Sequence, residues 1–376
     1  MLKAEINFFF GKVMEKLEIK GNIILWIIGS QKWLVTFEEL TRAYLPGRHP
    51  HTDNSLSTAT QNKILAILRK IAGAWWIPIL KKMKNYRKIS LSQLQLLKRS
   101  GKKLGSGKYA TVYLYNSYAV KVINHHFYKN LPRIDGKLEA KILIILREKI
   151  TYPLLSPNII TTYQYTPDKK TDYIVLEKLD LTFWNYLQNE PEERIVKGII
   201  LQVLFSLTIL QYVLPGFRHN DLKVDNILLD LTPRKQRITL RYKKYYWALP
   251  SDIPLVKIAD FDYACIPKLC NNPKVGTSHA RSFGCTEKPS QIYDTHLFLN
   301  SLYSYRRNLS PILQAWLQQL PEATRGNENT AVKFGRLKIP EKWEETIRSP
   351  LHILASRFFS EFRTIRPMYP MWGIKS

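Results

Sequence analysis

Three cysteines in 376 residues, Cys265, Cys270 and Cys285, are too few for a disulfide framework and suit a reducing compartment. Long hydrophobic runs are also lacking. The runs at 23–29 and 71–80 fall far short of the roughly 20 residues that span a bilayer. The N-terminus carries Lys3 and Glu5 with no small-residue cleavage pattern after them, so no cleavable leader is expected. Acidic residues are scarce: 30 Asp and Glu stand against 57 Lys and Arg, a formal net charge of +27. These shortages predict a soluble, intracellular, reduced protein that attracts anions, and they say nothing about fold.

A hydrophobic content of 45% and an aromatic content of 12% exclude wholesale disorder. The length suggests two or three domains. The charge is uneven: no acid occurs between Asp53 and Asp135, where 16 Lys and Arg do. A solvated electropositive extension is the plain reading of residues 1–97. An anionic partner (nucleic acid, acidic protein or membrane surface) bound through this part is the functional one. The extension reads as mainly helical, with apolar residues at 64, 65, 67, 68 and 71 and a polar loop at 49–60. After 97 the texture changes. Residues 110–123 favour strands with Asn116-Ser117 as the turn, 192–213 read as a buried helix, and strands return at 227–231, 238–246 and 255–259.

Four stretches carry chemistry. In Leu104-Gly105-Ser106-Gly107-Lys108-Tyr109-Ala110-Thr111-Val112 two glycines bare the backbone to a phosphate. A Walker loop is excluded by Lys102 and Tyr109 at its required positions. A dinucleotide fingerprint is disfavoured because a strand follows and no acid appears before Asp135. Tyr118-Ala119-Val120-Lys121 puts a lysine on the next strand. Arg218-His219-Asn220-Asp221-Leu222-Lys223-Val224-Asp225-Asn226 and Val256-Lys257-Ile258-Ala259-Asp260-Phe261-Asp262 follow in that order.

Together these stretches resemble the eukaryotic-type protein kinases over about 98–365. The resemblance implies an α+β, two-lobed fold: an antiparallel β lobe with a C helix at 98–179, a helical lobe at 180–376, and the extension at 1–97. It implies ATP and Mg²⁺ as cofactors and a protein substrate with a Ser or Thr acceptor, Lys223 following the serine/threonine form of the loop. Asp221 would be the catalytic base, Lys223 would offset charge on the γ-phosphate, and Asn226 and Asp260 would hold metal. Gly105, Ser106, Gly107 and Lys108 would cover the phosphates, and Lys121 would bind them, paired with Glu139 on the C helix or, as the rival, Glu148. Leu104, Val112 and Ala119 would line the adenine site. Leu176 would be its gatekeeper, and the backbone of Glu177 and Leu179 would bond the base. Residues 218–221, 260–262 and 293–300 also look like the divergent kinases of large nucleocytoplasmic DNA viruses, which implies a viral protein of host cytoplasm or virion.

The pattern also departs from the family. Asp262 replaces a glycine, and no A-P-E follows, so Asp294 is expected to bond the catalytic-loop backbone. The excess at 232–252, with Arg234, Lys235, Arg237, Arg241, Lys243 and Lys244, reads as a basic hairpin with a solvated face. Cys265, Cys270, His279 and Cys285 match no compact zinc spacing, and His125 and His126 read as surface residues. The alternatives are a pseudokinase acting as a basic scaffold or packaging protein, against which Lys121, Asp221, Asn226 and Asp260 all stand, and, more distantly, a small-molecule kinase. Asn220 replaces the arginine that clamps a phosphorylated activation loop. An enzyme competent without that phosphate is therefore expected. Replacing Thr277 and Ser278 by Ala should leave phosphate transfer near wild type, whereas loss that a phosphomimetic acid restores would overturn the expectation.

Overall fold

Isoleucine, valine and tryptophan in short runs favour extended backbone, and the first described elements are strands. β1 (Lys16–Lys20), β2 (Ile23–Ile28) and β3 (Gln31–Thr36) form an antiparallel meander, Glu18 opposite Leu25 and Leu25 opposite Leu34. They belong to the first of two compact units, Met1–Arg87 and Lys88–Ser376, in a computed structural model. That model describes residues 16–20, 23–28, 31–36, 86–107, 110–125, 136–151, 155–275, 277, 285, 290–319, 347–365 and 371–374. Of the described residues of the extension, 16–20, 23–28 and 31–36 are strand, since two-residue gaps between β-rich runs favour hairpins, and 91–97 are helix. The helix expected at 61–71 and the loop at 49–60 lie outside the described residues.

The second unit begins at Lys88, upstream of the composition break at 98. The reason is α1 (Leu91–Ser100), opened by a capping box in which Ser90 and Gln93 satisfy each other's backbone N–H. Leu94 and Leu97 are buried, and Lys98 Nζ reaches Thr171 Oγ1 at 2.6 Å and Asn124 Oδ1 at 2.8 Å. Just before it, both backbone groups of Ile89 bond the side chain of Gln164.

Five antiparallel strands follow in the order β4-β5-β6-β8-β7: β4 (Lys102–Ser106), β5 (Ala110–Tyr115), β6 (Tyr118–Asn124), β7 (Thr162–Pro167) and β8 (Thr171–Glu177). Asn116 turns the β5–β6 hairpin at φ 51°, a left-handed conformation that asparagine tolerates. α2 (Lys137–Leu146) lies between β6 and β7 in sequence.

The helical lobe is built on α4 (Glu193–Val213), after β9 (Leu181–Thr182) and α3 (Phe183–Leu187). α4 is long and apolar enough to cross a membrane, but 78% of its apolar window is buried inside the protein, as a core helix requires. Two of its buried polar residues, Gln202 and Ser206, anchor a hydrogen-bonded network. Gln202 accepts from Val256 N and Asn158 Nδ2 and donates to Pro254 O and Gly198 O, while Ser206 meets Ser156 and Asn158. A saturated buried network of this kind fixes one packing arrangement. β10 (Ile227–Asp230) lies between β9 and β13 (Leu255–Ile258). α5 (Tyr293–Ser304), α6 (Pro311–Gln319) and α7 (Pro350–Leu354) complete the lobe.

The excess before β13 is a hairpin, β11 (Ile238–Tyr242) and β12 (Tyr245–Leu249), and β14 (Met371–Ile374) pairs with β11 in parallel. Lys243 and Lys244 at its tip are exposed, but the solvated-face reading fails for Arg234 and Arg241, which are buried. Arg234 donates to the carbonyls of Pro250 and Ile253; the Arg241 guanidinium lies over Tyr246 and donates to Lys243 O. Carbonyls and a ring face take the place of water there.

Gly198 in α4 is needed for close approach. A Cβ there would lie 2.5 Å from Ile253 Cδ1 and 2.8 Å from its Cγ2, in a fully buried contact. Gly198→Ala gains about 1 kcal/mol of helix propensity, but overpacking costs about 1–3 kcal/mol. The expected result is a lower urea midpoint for Gly198→Ala, partly restored by adding Ile253→Val.

Candidate active site

Strand register sets the upper wall of the site. Gly105, Val112, Lys121 and Ile174 stand side by side across β4, β5, β6 and β8. Ala119, two residues before Lys121 and so on the same face, pairs with Leu176. Leu104 is 42% exposed, Val112 is half-buried, and Ala119 and Leu176 are buried. Gly107 N donates to Ala110 O at 2.8 Å to close the turn, and Ser106 Oγ lies 3.4 Å from Thr111 Oγ1. A Cβ on Gly105 would meet nothing within 4 Å, and one on Gly107 nothing closer than 3.9 Å. The packing of the chain itself does not demand these glycines; a group approaching the bare backbone would. Lys108 lies outside the described residues.

At the far end of β8, Glu177 commits its N–H to Thr161 O. Its buried carboxylate accepts from Thr161 N at 2.6 Å and pairs with the buried ammonium of Lys257 at 2.9 Å. Leu179, half-buried, follows in the connection to β9. The only sequence sign of the Glu177–Lys257 pair was one lysine in an otherwise apolar strand.

Lys121 is the centre. Its Nζ lies 2.7 and 2.8 Å from the two Glu139 oxygens and 2.7 Å from Asp260 Oδ1. Glu148, the rival, is over half exposed and 3.9 Å from Arg147. Burial opposes charge on Lys121, but Asp260 and Glu139 outweigh it and hold its pKa above the ordinary lysine value. Burial pushes Glu139 up to about 7, with Lys121 only partly offsetting it. Desolvation also opposes ionisation of Asp260, but there Lys121 prevails and the pKa falls to about 2.

Below, Asp294 at the start of α5 accepts from His219 N at 2.8 Å and Asn220 N at 3.0 Å, one backbone amide on each oxygen. Val224 N is held by Ser301 Oγ of the same helix, a residue the sequence had not marked. His219 bonds Ala259 O and packs on Phe261 with centroids 4.8 Å apart, which joins the Asp221 loop to the Asp260 loop. Asn220 and Asp260 both adopt φ of 62°, strained for non-glycine residues. Asn226 Nδ2 donates to Asp221 O at 2.7 Å and Asp221 Oδ2 at 3.2 Å; Lys223 Nζ is 3.4 Å from that same Oδ2. With its nitrogen committed, Asn226 has its carbonyl oxygen to present to a cation, and Asp260 has a carboxylate whose side chain is 43% exposed. Both are hard oxygen donors suited to Mg²⁺.

The segment after Asp260 is tied down by its own side chains. Lys274 Nζ pairs with Asp262, and buried Asn272 donates to Asp262 O and Ala264 O, both at 2.9 Å. Asn220 Nδ2 reaches Tyr263 O at 3.1 Å and Cys265 Sγ at 3.5 Å. The three cysteines are buried and form no disulfide with one another; His279 and His126 lie outside the described residues. His125 is not a surface residue: its ring is buried, 3.1 Å from Asp172.

Residues 99–283 match the family model described as protein kinase domain. This segment is a protein-kinase domain. The match contains all four chemical stretches and stops short of α5. Two proteins of Acanthamoeba polyphaga mimivirus, both named “Putative serine/threonine-protein kinase”, are similar to the chain. R400 is 27% identical over 179 residues, 44% of this chain and 38% of its own length. R301 is 35% identical over 71 residues, 18% of each. The chain thus matches well under half the length of either relative. A crystal structure of the BubR1 kinase domain superposes with a TM-score of 0.33 at 18% identity, over 45% of this chain and 48% of that one. The kinase domain is of the eukaryotic type and similar to divergent viral members.

Glu139 must be ionised to bond Lys121, and its raised pKa means that it binds a proton below about 7. The kcat/KM for ATP is therefore expected to fall with decreasing pH through about 7. Glu139→Gln should be slower than wild type at pH 8 and should lack this acid limb; an unchanged limb in the variant would assign it to another group.

Proposed function

We propose that the chain is an ATP-dependent protein kinase that phosphorylates Ser or Thr hydroxyls. The observation that carries the reading is Lys121 Nζ at 2.7 Å from both Glu139 and Asp260, which joins the sheet, α2 and the metal loop at one point. Lys121 would bind phosphate oxygens, oriented by Glu139. The backbone at Gly105, Ser106 and Gly107, together with Lys108, would cover them. Leu104, Val112 and Ala119 would pack on the adenine. The N–H of Glu177 is committed to Thr161, so its carbonyl, with the backbone of Leu179, would orient the base. The hinge would lie at 178–179, between lobes at about 88–179 and 180–376.

Asp221 would accept or orient the proton of the attacking hydroxyl. Asn226 fixes the rotamer of that carboxylate through its amide. Lys223, beside it, would offset charge developing on the transferred phosphoryl group, and its presence favours Ser and Thr over Tyr acceptors. Asn226 and Asp260 would hold Mg²⁺, which supplies neutralisation of the β- and γ-phosphate oxygens. Positioning and electrostatics would provide the rate enhancement.

The test is γ-phosphate transfer to generic basic and acidic proteins, followed by phosphoamino-acid analysis. Wild type should transfer, and Asp221→Ala and Lys121→Met should each lose at least about a hundredfold, the scale of a lost acid–base or electrostatic group. Equal rates in all three would mean a contaminating kinase, and ATP binding without transfer would favour a scaffold. Phosphate on a small molecule alone would move the acceptor class.

A further inference from the structure

We propose that Asp172 is a positioning residue for catalysis, clamping the start of α2 to His125 and so setting where Glu139 meets Lys121. The proposal rests on the kinase reading above and deepens it.

α2 has no side-chain cap of its own. Its cap position is Gly136, at φ −89° and ψ −2°, with no capping side chain. The first amides of a helix lack internal partners and carry its positive end. Asp172, on β8, answers both needs: its Oδ2 accepts from Gly136 N at 2.8 Å and places a carboxylate there. Its other oxygen, Oδ1, lies 3.1 Å from His125 Nε2, with both side chains 3% exposed. The His125 backbone is itself fixed by its N–H to Lys170 O at 2.9 Å. One carboxylate therefore joins β8, the end of β6 and the start of α2.

The junction leaves no slack. A Cβ on Gly136 would fall 2.7 Å from Ile123 Cδ1 and 3.1 Å from Asp172 Cβ, so α2 begins in direct contact with the sheet. Ile123 pairs with Asp172 and Lys121 pairs with Ile174, which puts Asp172 and Lys121 on the same sheet face, one pleat apart. Glu139 follows Gly136 by about one helical turn. The clamp and the Lys121–Glu139 pair thus fix α2 to one sheet face at neighbouring points. The Glu139 carboxylate reaches both oxygens to within 2.8 Å of Lys121 Nζ only while the helix start stays seated. Asp172→Asn keeps the shape and an acceptor for Gly136 N, but it removes the charge that faces His125 and the helix end.

The test combines amide hydrogen exchange with transfer kinetics on the full chain. Asp172→Asn should raise exchange across 137–146 while leaving α4 amides at wild-type protection. It should also lower kcat/KM for ATP about tenfold, as small displacements of positioned groups do. In a Glu139→Gln background the same change should add no further loss of rate, because its effect passes through Glu139. Multiplying rate losses, unchanged α2 exchange, or loosening of α4 as well as α2 would each overturn the proposal. His125→Gln, which keeps a donor for Asp172, should lie between wild type and Asp172→Asn in α2 exchange. If wild type transfers no phosphate, the kinase reading fails, and the exchange arm still decides whether Asp172 seats α2.

Discussion

Lys121 holds Glu139 with one side of its ammonium and Asp260 with the other, and nearly every element around the cleft is arranged to make this possible. Register puts Val112 and Ile174 beside it, and α2 delivers Glu139 from the side. The loop after β13 delivers Asp260 in a left-handed conformation. One cation shared by two carboxylates leaves the cluster with a net negative charge. The third acid in this region, Asp262, has its own counterion in Lys274. A bound divalent cation at Asp260 would therefore relieve repulsion rather than compete with Lys121. Removing Lys121 instead would drive the Glu139 pKa, already about 7, higher still and leave the carboxyl protonated in its buried site.

Backbone strain is handled by the same logic of over-determination. Asn220 and Asp260 each hold a φ of 62°, a left-handed strain that Asn and Asp carry at less cost than other non-glycine residues. Asp294 grips two successive amides at His219 and Asn220, while His219 and Phe261 bind the two loops to each other. Neither loop can relax alone. Asn220 adds a neutral side-chain bond to the following segment through Tyr263 O.

Chemistry confined to one loop was legible in the sequence. Gly105 and Gly107, the Asp221–Asn226 spacing and Asp260 all lie in stretches that fall within the protein kinase domain match, so their order alone pointed to the family. The strand-rich half, the hairpin turn at Asn116 and the buried α4 were legible from composition and period. The groups that stayed hidden act across the fold. Asp172, Lys257 and Ser301 meet partners from distant elements, and no local period marks a polar residue whose partner lies elsewhere in the chain. The strands at 16–36 escaped a reading that rested on the period at 61–71 and passed over the β-branched run of β2. The burial of Arg234 and Arg241 is invisible to composition, which cannot see carbonyls and a tyrosine face gathering around a guanidinium.

The pairing of β14 with β11 bears on the order in which the molecule is made. A ribosome delivers β11 and β12 well before Met371–Ile374, so the outer edge of β11 stays open through the synthesis of α5, α6 and α7. An open strand edge is a surface on which nascent chains mispair. The last strand then seals the edge once the rest of the helical lobe has emerged.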